Sequence, residues 1–533
     1  MTYRFLLGLL LVLNTPAHAQ VEHIFRSWKT DTSPGVAVAV LYRGQVEHHE
    51  GYGMANLEHA IPITSTSVFD IASVSKQFCA FAIALLADEG KFNLDDDVRN
   101  YLPELPNFGE VITIRHVIYH TSGLRDWPGM LALSGRTMED VISMHEILHL
   151  VKYQKALNFI PGTQYSYSNT GYNLLAVLIE RVSGQSFQSF MNDHIFAPLG
   201  MTQTHFQDDH TEIVPGRVIS YTGQSGELRR VGNGLMALGS SSLHTTTEDL
   251  LKWVQNFDEK KLGSTTVHSM MNTQGKLSDG ATISYGFGLI HGTHRGLKTI
   301  SHSGEWAGFR TTILRFPDHQ FAVIILGNHS SLRTLFLAER VAQHYLEAFM
   351  DSPPADIPTS EFLPSEYEGI YDFGKSQILR LTAEKTSLLV HLPPTMSVPA
   401  QLVGLDSLIA PALNLTLTFS RNTHGKVTRA FTKKLEAVRS QAPQMTDLFR
   451  LEGCYENDEL DASYLIHVQN NLLMATGPRG REFSLNQVTD MTFISNVWYA
   501  PVIRFFISPD TQTITHLTMN STRNHEVIFK KGC

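Results

Sequence analysis

The sequence predicts a chain of two characters: a mixed α and β domain over residues 20–350, its antiparallel sheet flanked by helices, then two small all-β barrels over 361–445 and 446–533. Three observations predict it. Strand-like runs stand at both ends of the first region with helix-period stretches between them. Asp351-Ser352-Pro353-Pro354-Ala355-Asp356-Ile357-Pro358 reads as a linker, placed at 351–360. Beyond it Glu368-Gly369-Ile370-Tyr371 recurs as Glu452-Gly453-Cys454-Tyr455 and Leu388-Leu389 as Leu472-Leu473, both at an offset of 84, the mark of a duplicated β unit.

The elements follow in order. Arg4, the apolar run Phe5 to Leu13 and Ala17-His18-Ala19 form a signal peptide, residues 1–19, cut after Ala19. No stretch is long enough to cross a bilayer as a helix, so the expected location is periplasmic or secreted. Val36 to Leu41, the turn Tyr42-Arg43-Gly44 and Val46 onward form a hairpin. Thr311 to Phe316, Pro317-Asp318 and Phe321 to Leu326 form a second, followed by a helix over Thr334 to Met350. Between them the helical spacing covers Ser73 to Glu89, Ala176 to Val182 and Glu248 to Phe257.

Composition narrows the function. The 533 residues carry 42 Lys and Arg against 51 Asp and Glu, a net charge of -9 without a basic run, which argues against a nucleic-acid partner. Three cysteines make neither a disulfide framework nor a zinc site. In an oxidising compartment Cys454 and Cys533 can bridge the first and last strands of the second barrel, while Cys79 reads as a packing residue in an apolar helix.

Chemistry concentrates in three short motifs. In Ser73-Val74-Ser75-Lys76 the two polar side chains stand at i and i+3, so Lys76 can point at the Ser73 hydroxyl. A serine is a poor nucleophile until a base takes its proton, and a lysine serves once its own pKa is lowered. Tyr167-Ser168-Asn169 follows the Pro161-Gly162 loop and leads into a helix. His302-Ser303-Gly304 follows the strand-like Leu297 to Ile300, where a small residue and a glycine let substrate backbone lie against an edge strand. Each motif alone is weak. Their order and spacing, 94 and then 133 residues apart, are not.

With these motifs the chain resembles the serine β-lactamase and penicillin-binding protein superfamily, nearest to its class C group and the related D-aminopeptidases, carboxypeptidases and esterases. His120-Thr121-Ser122-Gly123-Leu124, Tyr167 to Tyr172 and Gly239 to Leu250 strengthen the likeness, which covers about residues 33–330. The resemblance implies a β-lactamase/transpeptidase-like catalytic domain in which Ser73 is acylated and Lys76 and Tyr167 move its proton. It further implies that Asn169, His302, Ser303 and Gly304 bind substrate, and that the N–H groups of Ser73 and Glu305 form the oxyanion hole. It implies no metal and no cofactor. The expected substrates are short peptides or amides with D-residues, then esters, then β-lactams, with peptidoglycan fragments as a further partner class. One departure stands out: the family usually has Lys where His302 stands, a cation for a substrate carboxylate. The barrels resemble the D-aminopeptidase architecture, in which a barrel loop restricts the pocket.

Two other readings compete. A catalytically silent fold of this kind would bind penicillin or peptidoglycan fragments without turnover. His145-Glu146-Ile147-Leu148-His149 also satisfies the H-E-x-x-H pattern of zinc peptidases, against a plain surface helix carrying two histidines.

Overall fold

The computed structural model describes residues 17–532 except 225, 353–362, 375–376, 385–386, 393–395, 411–412, 414, 433–434 and 441–446. Most of the expected signal peptide and linker, and Cys533, therefore lie outside the described residues. Helix α1 (Ala17–Phe25) begins at the expected cleavage region.

The seven-stranded sheet is built from both ends of its domain. Strands β1 (Val36–Tyr42) and β2 (Gln45–Tyr52) form the predicted first hairpin. Strands β3 (Tyr285–Gly286), β4 (Leu289–His294), β5 (Leu297–Trp306), β6 (Phe309–Phe316) and β7 (Phe321–Gly327) complete an antiparallel sheet of order β3-β4-β5-β6-β7-β1-β2. The β1 sequence Val-Ala-Val-Ala-Val-Leu explains its central place, since it offers apolar groups to both faces. Val36, Val38 and Val40 pack with Val21, Phe25, Ala338 and Val341 in one layer. Ala37 and Ala39 face the larger core on the other side, among Phe69, Phe78 and Trp253.

That second layer holds helices α2 (Lys76–Asp88), α3 (Met144–Tyr153), α4 (Asn169–Ser183) and α5 (Thr247–Glu259), while α6 (Thr334–Leu346) closes the opposite face. Helix α2 is apolar nearly all round, which suits a helix enclosed by the core. Phe78 stacks on Trp253 with ring centres 4.2 Å apart, and Phe81 meets the same indole edge-on. Ser73 itself lies in a 3-10 turn, Ala72–Ser75, rather than in the α-helix. In such a turn residues i and i+3 eclipse, so Ser73 and Lys76 align more closely than an α-helix would allow. The His302 motif lies inside β5 instead of after its strand: the expected end at Ile300 is only mid-strand, because β6 continues pairing as far as Trp306 opposite Phe309.

The two barrels are closed and eight-stranded. The first comprises β8 (Gly369–Asp372), β9 (Ile378–Glu384), β10 (Ser387–Leu392), β11 (Met396–Gly404), β12 (Ser407–Ala410), β13 (Leu415–Arg421), β14 (Val427–Phe431) and β15 (Glu436–Arg439). The second comprises β16 (Gly453–Asn457), β17 (Ala462–Gln469), β18 (Leu472–Thr476), β19 (Glu482–Thr489), β20 (Thr492–Ile494), β21 (Val502–Ile507), β22 (Ile514–Asn520) and β23 (Val527–Lys531).

The duplicated motif does equivalent work in both. Tyr371 donates to the Tyr367 carbonyl and Tyr455 to the Leu451 carbonyl, at 2.9 and 2.7 Å. Glu368 accepts from the Ala383 N–H and Glu452 from that of Val468. The Leu-Leu match is one residue out of register. Gly369 pairs with Leu381 but Gly453 with Ile466, so the offset grows from 84 to 85 across the first hairpin. The buried equivalents are Leu388 and Leu473, whereas Leu472 is exposed, as a one-residue slip on a strand requires. Cys454 is disulfide-bonded, and Cys79 is free and buried beside α4.

Candidate active site

The site forms where the Ser73 turn, the start of α4 and the middle of β5 converge. Ala72 has φ +47°, a left-handed conformation costly for a residue with a Cβ, and its N–H is held by Asp70 at 2.8 Å. This kink sets Ser73 at the mouth of the turn, partly exposed, while Lys76 is fully buried.

Lys76 Nζ has three hydrogen-bond neighbours: Asn169 Oδ1 at 2.8 Å, the Ser240 carbonyl at 2.7 Å and Ser73 Oγ at 3.1 Å. The first two can only accept, whereas the hydroxyl can accept or donate. An ammonium would donate to all three oxygens, whereas the neutral amine gives two hydrogens to the oxygens of Asn169 and Ser240 and keeps its lone pair for the Ser73 proton. Burial drives the Lys76 pKa well down, with Arg523 adding to the effect and Asp126 opposing it.

Tyr167 lies over this group, its ring centre 4.8 Å from Lys76 Nζ. Burial raises its phenol, outweighing the Ser73 hydroxyl and the Arg523 guanidinium, and the phenol has no well-formed hydrogen bond among the described residues. Asn169 opens α4 just after its N-cap, Ser168. Its amide is engaged on both sides, with Oδ1 on Lys76 and Nδ2 donating to Asp126 Oδ2 at 3.1 Å.

The third motif supplies a wall. His302 is buried and pushed down to about 3, first by burial and then by Lys76, so it is neutral at pH 7. One ring nitrogen meets its neighbour's carbonyl, Ser303 O, at 2.8 Å and the other the Tyr285 hydroxyl at 3.1 Å, a pattern that assigns the proton to Nδ1. Its ring stands 6.2 Å from that of Tyr167. Ser303 points away, bonded to Thr312 Oγ1 at 3.0 Å, so it offers the site only backbone. A Cβ at Gly304 would meet the Ile71 carbonyl at 2.2 Å, which is why a glycine lets β5 close on the Ser73 turn and bring Glu305 beside it. Strand β4 stops pairing at Ser301, leaving 302–306 as an edge on that side.

Four further residues complete the site, of which only His120 belongs to a stretch singled out in the sequence. His120 packs its ring 4.3 Å from Tyr167 and accepts from the Ser168 N–H. Tyr285 anchors His302. Asp126, nearly fully buried, accepts from the Asn169 N–H at 2.7 Å. Arg523 enters from the second barrel, donating to Asp126 Oδ2 at 3.0 Å with its guanidinium 4.8 Å from the Tyr167 ring centre. Beside Tyr165 a cavity of about 570 Å³ opens between the catalytic domain, Phe373 and Leu435 of the first barrel, and His525 of the second.

The H-E-x-x-H segment is the surface helix α3. His145 and His149 are exposed, and Glu146 caps the helix through Ser143 while pairing with Arg136. No cluster of three or more metal-binding side chains occurs among the described residues.

Residues 22–346 match the family model described as Beta-lactamase, more than half the chain. The chain belongs to the Beta-lactamase family. A D-aminopeptidase of Gluconobacter oxydans is 27% identical over 445 residues, covering 80% of this chain and 80% of that one. Penicillin-binding protein 4* of Bacillus subtilis is 31% identical over 378 residues, 66% of this chain and 82% of its own. Among solved structures, the octameric penicillin-binding protein homologue from Pyrococcus abyssi aligns with TM-score 0.57 at 21% identity, covering 87% of this chain and 99% of that one. The D-amino acid amidase from Ochrobactrum anthropi SV3 aligns with TM-score 0.54 at 21% identity, covering 63% and 100%. This Beta-lactamase family member is thus a serine hydrolase. No helix among the described residues is long and apolar enough to cross a membrane.

Proposed function

We propose that the protein hydrolyses short peptides or amides containing D-residues through an acyl-enzyme on Ser73. The observation that carries this reading is the hydrogen-bond set of Lys76, whose neutral form alone accepts the Ser73 proton while satisfying two carbonyl-type acceptors. Lys76 takes that proton as Ser73 Oγ attacks the substrate carbonyl carbon. The oxyanion so formed is held by the N–H groups of Ser73 and Glu305, an arrangement that commonly contributes about 3 kcal/mol. Tyr167, its phenol kept protonated by burial, gives its proton to the leaving nitrogen as the C–N bond breaks, and the Lys76 ammonium restores it. Water then repeats the sequence in reverse on the ester, freeing Ser73.

Asn169 orients Lys76 and presents its amide edge to the substrate. The free edge of β5 at 302–306 receives the substrate backbone as an added strand, with Gly304 leaving room for it. The D-aminopeptidase of Gluconobacter oxydans, similar over 80% of this chain, supports D-residue substrates. Esters come second and β-lactams third, the latter because neutral His302 gives no cation at the place where the family usually meets their carboxylate. We also propose export with cleavage after Ala19. That cut retains Val21, Ile24 and Phe25, the residues of α1 buried against the sheet.

The test is hydrolysis of D-Ala-D-Ala peptides, their L counterparts and a D-alanine anilide. Turnover of the D substrates that disappears in Ser73→Ala, and falls by about 10³-fold or more in Lys76→Ala, is the expected result. Normal turnover in Ser73→Ala, or equal rates on L substrates, overturns it.

A further inference from the structure

Among the groups gathered at the site, Arg523 has no part in the acyl transfer described above, yet it is the one held with most effort. It sits in the turn between β22 and β23, which leaves the second barrel and enters the catalytic domain. Asn524 clamps Asp126 from both sides, accepting from its N–H at 2.7 Å and donating to its carbonyl at 3.1 Å. Asn158 binds the same turn twice, donating to the Arg523 carbonyl and accepting from the His525 N–H, each at 2.8 Å. Asn520 fixes the Glu526 N–H. A turn so tied is a rigid mount, and it delivers one charged side chain to the pocket.

We propose that Arg523 is a specificity residue that receives a carboxylate of the substrate, making this site select D-peptides whose leaving residue carries a free α-carboxylate. The inference rests on Ser73 being the nucleophile. Three observations lead to it. First, Arg523 uses Nη1 on Asp126, while Nε and Nη2 make no hydrogen bond among the described residues, and the side chain is 46% exposed. Asp126 is only 2% exposed, so the pair turns its positive member to the pocket. Second, the other candidate cations are silent: Lys76 is buried and driven towards the neutral amine, and His302 is neutral. Arg523 is the fixed positive charge of the site. Third, it lies on the ring of Tyr167, the group assigned to protonate the leaving nitrogen. The α-carboxylate of a leaving amino acid is attached one carbon from that nitrogen, within the span of a guanidinium stacked on the phenol. A guanidinium with two free donors is well matched to a carboxylate. The same charge disfavours an ammonium at that end of the pocket.

The appended barrel thus restores, from a distant part of the chain, the cation that position 302 lacks. The experiment compares kcat/KM for acetyl-D-Ala-D-Ala and for the same peptide ending in a carboxamide, in wild type, Arg523→Gln and Arg523→Lys. Fluorophosphonate labelling of each protein is followed in parallel by intact mass. Loss of a charge-assisted pair predicts a wild-type preference for the carboxylate of about tenfold or more, carried mainly by KM. Arg523→Gln brings the ratio to about one, and Arg523→Lys keeps an intermediate preference because it retains the charge without the planar fork. Wild type favouring the carboxamide, or Arg523→Gln slowing both peptides equally, overturns the proposal while leaving a labelled Ser73 and its mechanism intact. Absence of labelling in wild type overturns both.

Discussion

The two barrels share a topology and a duplicated Glu-Gly-x-Tyr strand, yet they stand in different relations to the catalytic domain. The second grips it. Arg125 and Glu459 form a double hydrogen bond at 2.7 and 2.8 Å with both side chains 5% exposed, Tyr464 donates to the Leu133 carbonyl, and the turn carrying Arg523 enters the site. Among the described residues, no hydrogen bond joins the first barrel to the catalytic domain. Its ties run to its sister, through the Arg504–Asp372 pair at 2.8 Å and the packing of Ile378 on Val488 and Val502. A duplicated unit has diverged by its loops: one copy became part of the active site, and the other lines only the outer cavity beside Tyr165.

The largest effect that sharpens this contrast is expected at the buried pair. Arg125→Met strands the Glu459 carboxylate in a dry interface and should destabilise the protein by about 3–5 kcal/mol. Chemical denaturation would measure it. The corresponding change at the partly exposed inter-barrel pair, Arg504→Met, should cost about 1 kcal/mol or less. Equal losses would erase the distinction between a structural and a peripheral barrel.

Next come the barrel interiors. Leu388→Ala and Leu473→Ala should each cost about 2–5 kcal/mol, since both side chains are buried in equivalent positions. Leu472→Ser, on the exposed face, should stay within about 0.5 kcal/mol in the same denaturation assay. A large loss at Leu472 would restore the sequence register against the structural one.

Acid separates the regions differently. His244 and His302 are buried in the catalytic domain and pushed down to about 3, by burial first and by neighbouring cations next. Below their ordinary value of 6.5 the unfolded chain takes up protons that the native domain refuses. Stability therefore falls as pH drops from about 6.5 towards 3, by up to about 1.4 kcal/mol per pH unit for each histidine, and is flat in this respect above 6.5. Thermal unfolding followed across that window should show the catalytic domain losing stability ahead of the barrels. Replacing His244 by Gln should flatten the slope.

The smallest expected effect is the most pointed. Gly129 lies in the short helix Trp127–Leu133, where a Cβ would come within 2.1 Å of Asn524 Nδ2. Alanine raises helix propensity by about 1 kcal/mol, so stability should change little, while the displaced turn should weaken the preference for carboxylate substrates. An unchanged preference would show that the turn does not position Arg523.

What the sequence made legible was local. Ser73 and Lys76 are three residues apart on one turn, Tyr167 and Asn169 adjoin one helix start, and alternating strands announced the hairpins and the repeat. Two errors were also local: β5 runs on through His302 because its partner strand does, and the repeat slips by one residue where a hairpin gains one. Asp126 and Arg523 had no such signal. They meet across 397 positions of chain, held by an ordinary-looking Asn-rich turn, and only the closure of the second barrel brings them together. The cation that the His302 motif lacks was therefore invisible at that motif.

The most direct test of the central claim is intact-mass analysis after brief exposure to a fluorophosphonate, in wild type, Ser73→Ala and Lys76→Ala across a pH series. We predict one adduct in wild type, mapped to Ser73, absent from Ser73→Ala and greatly slowed in Lys76→Ala, with a rate that falls on acidification as the Lys76 amine becomes charged. An adduct that persists in Ser73→Ala, or a rate indifferent to Lys76, would contradict the account.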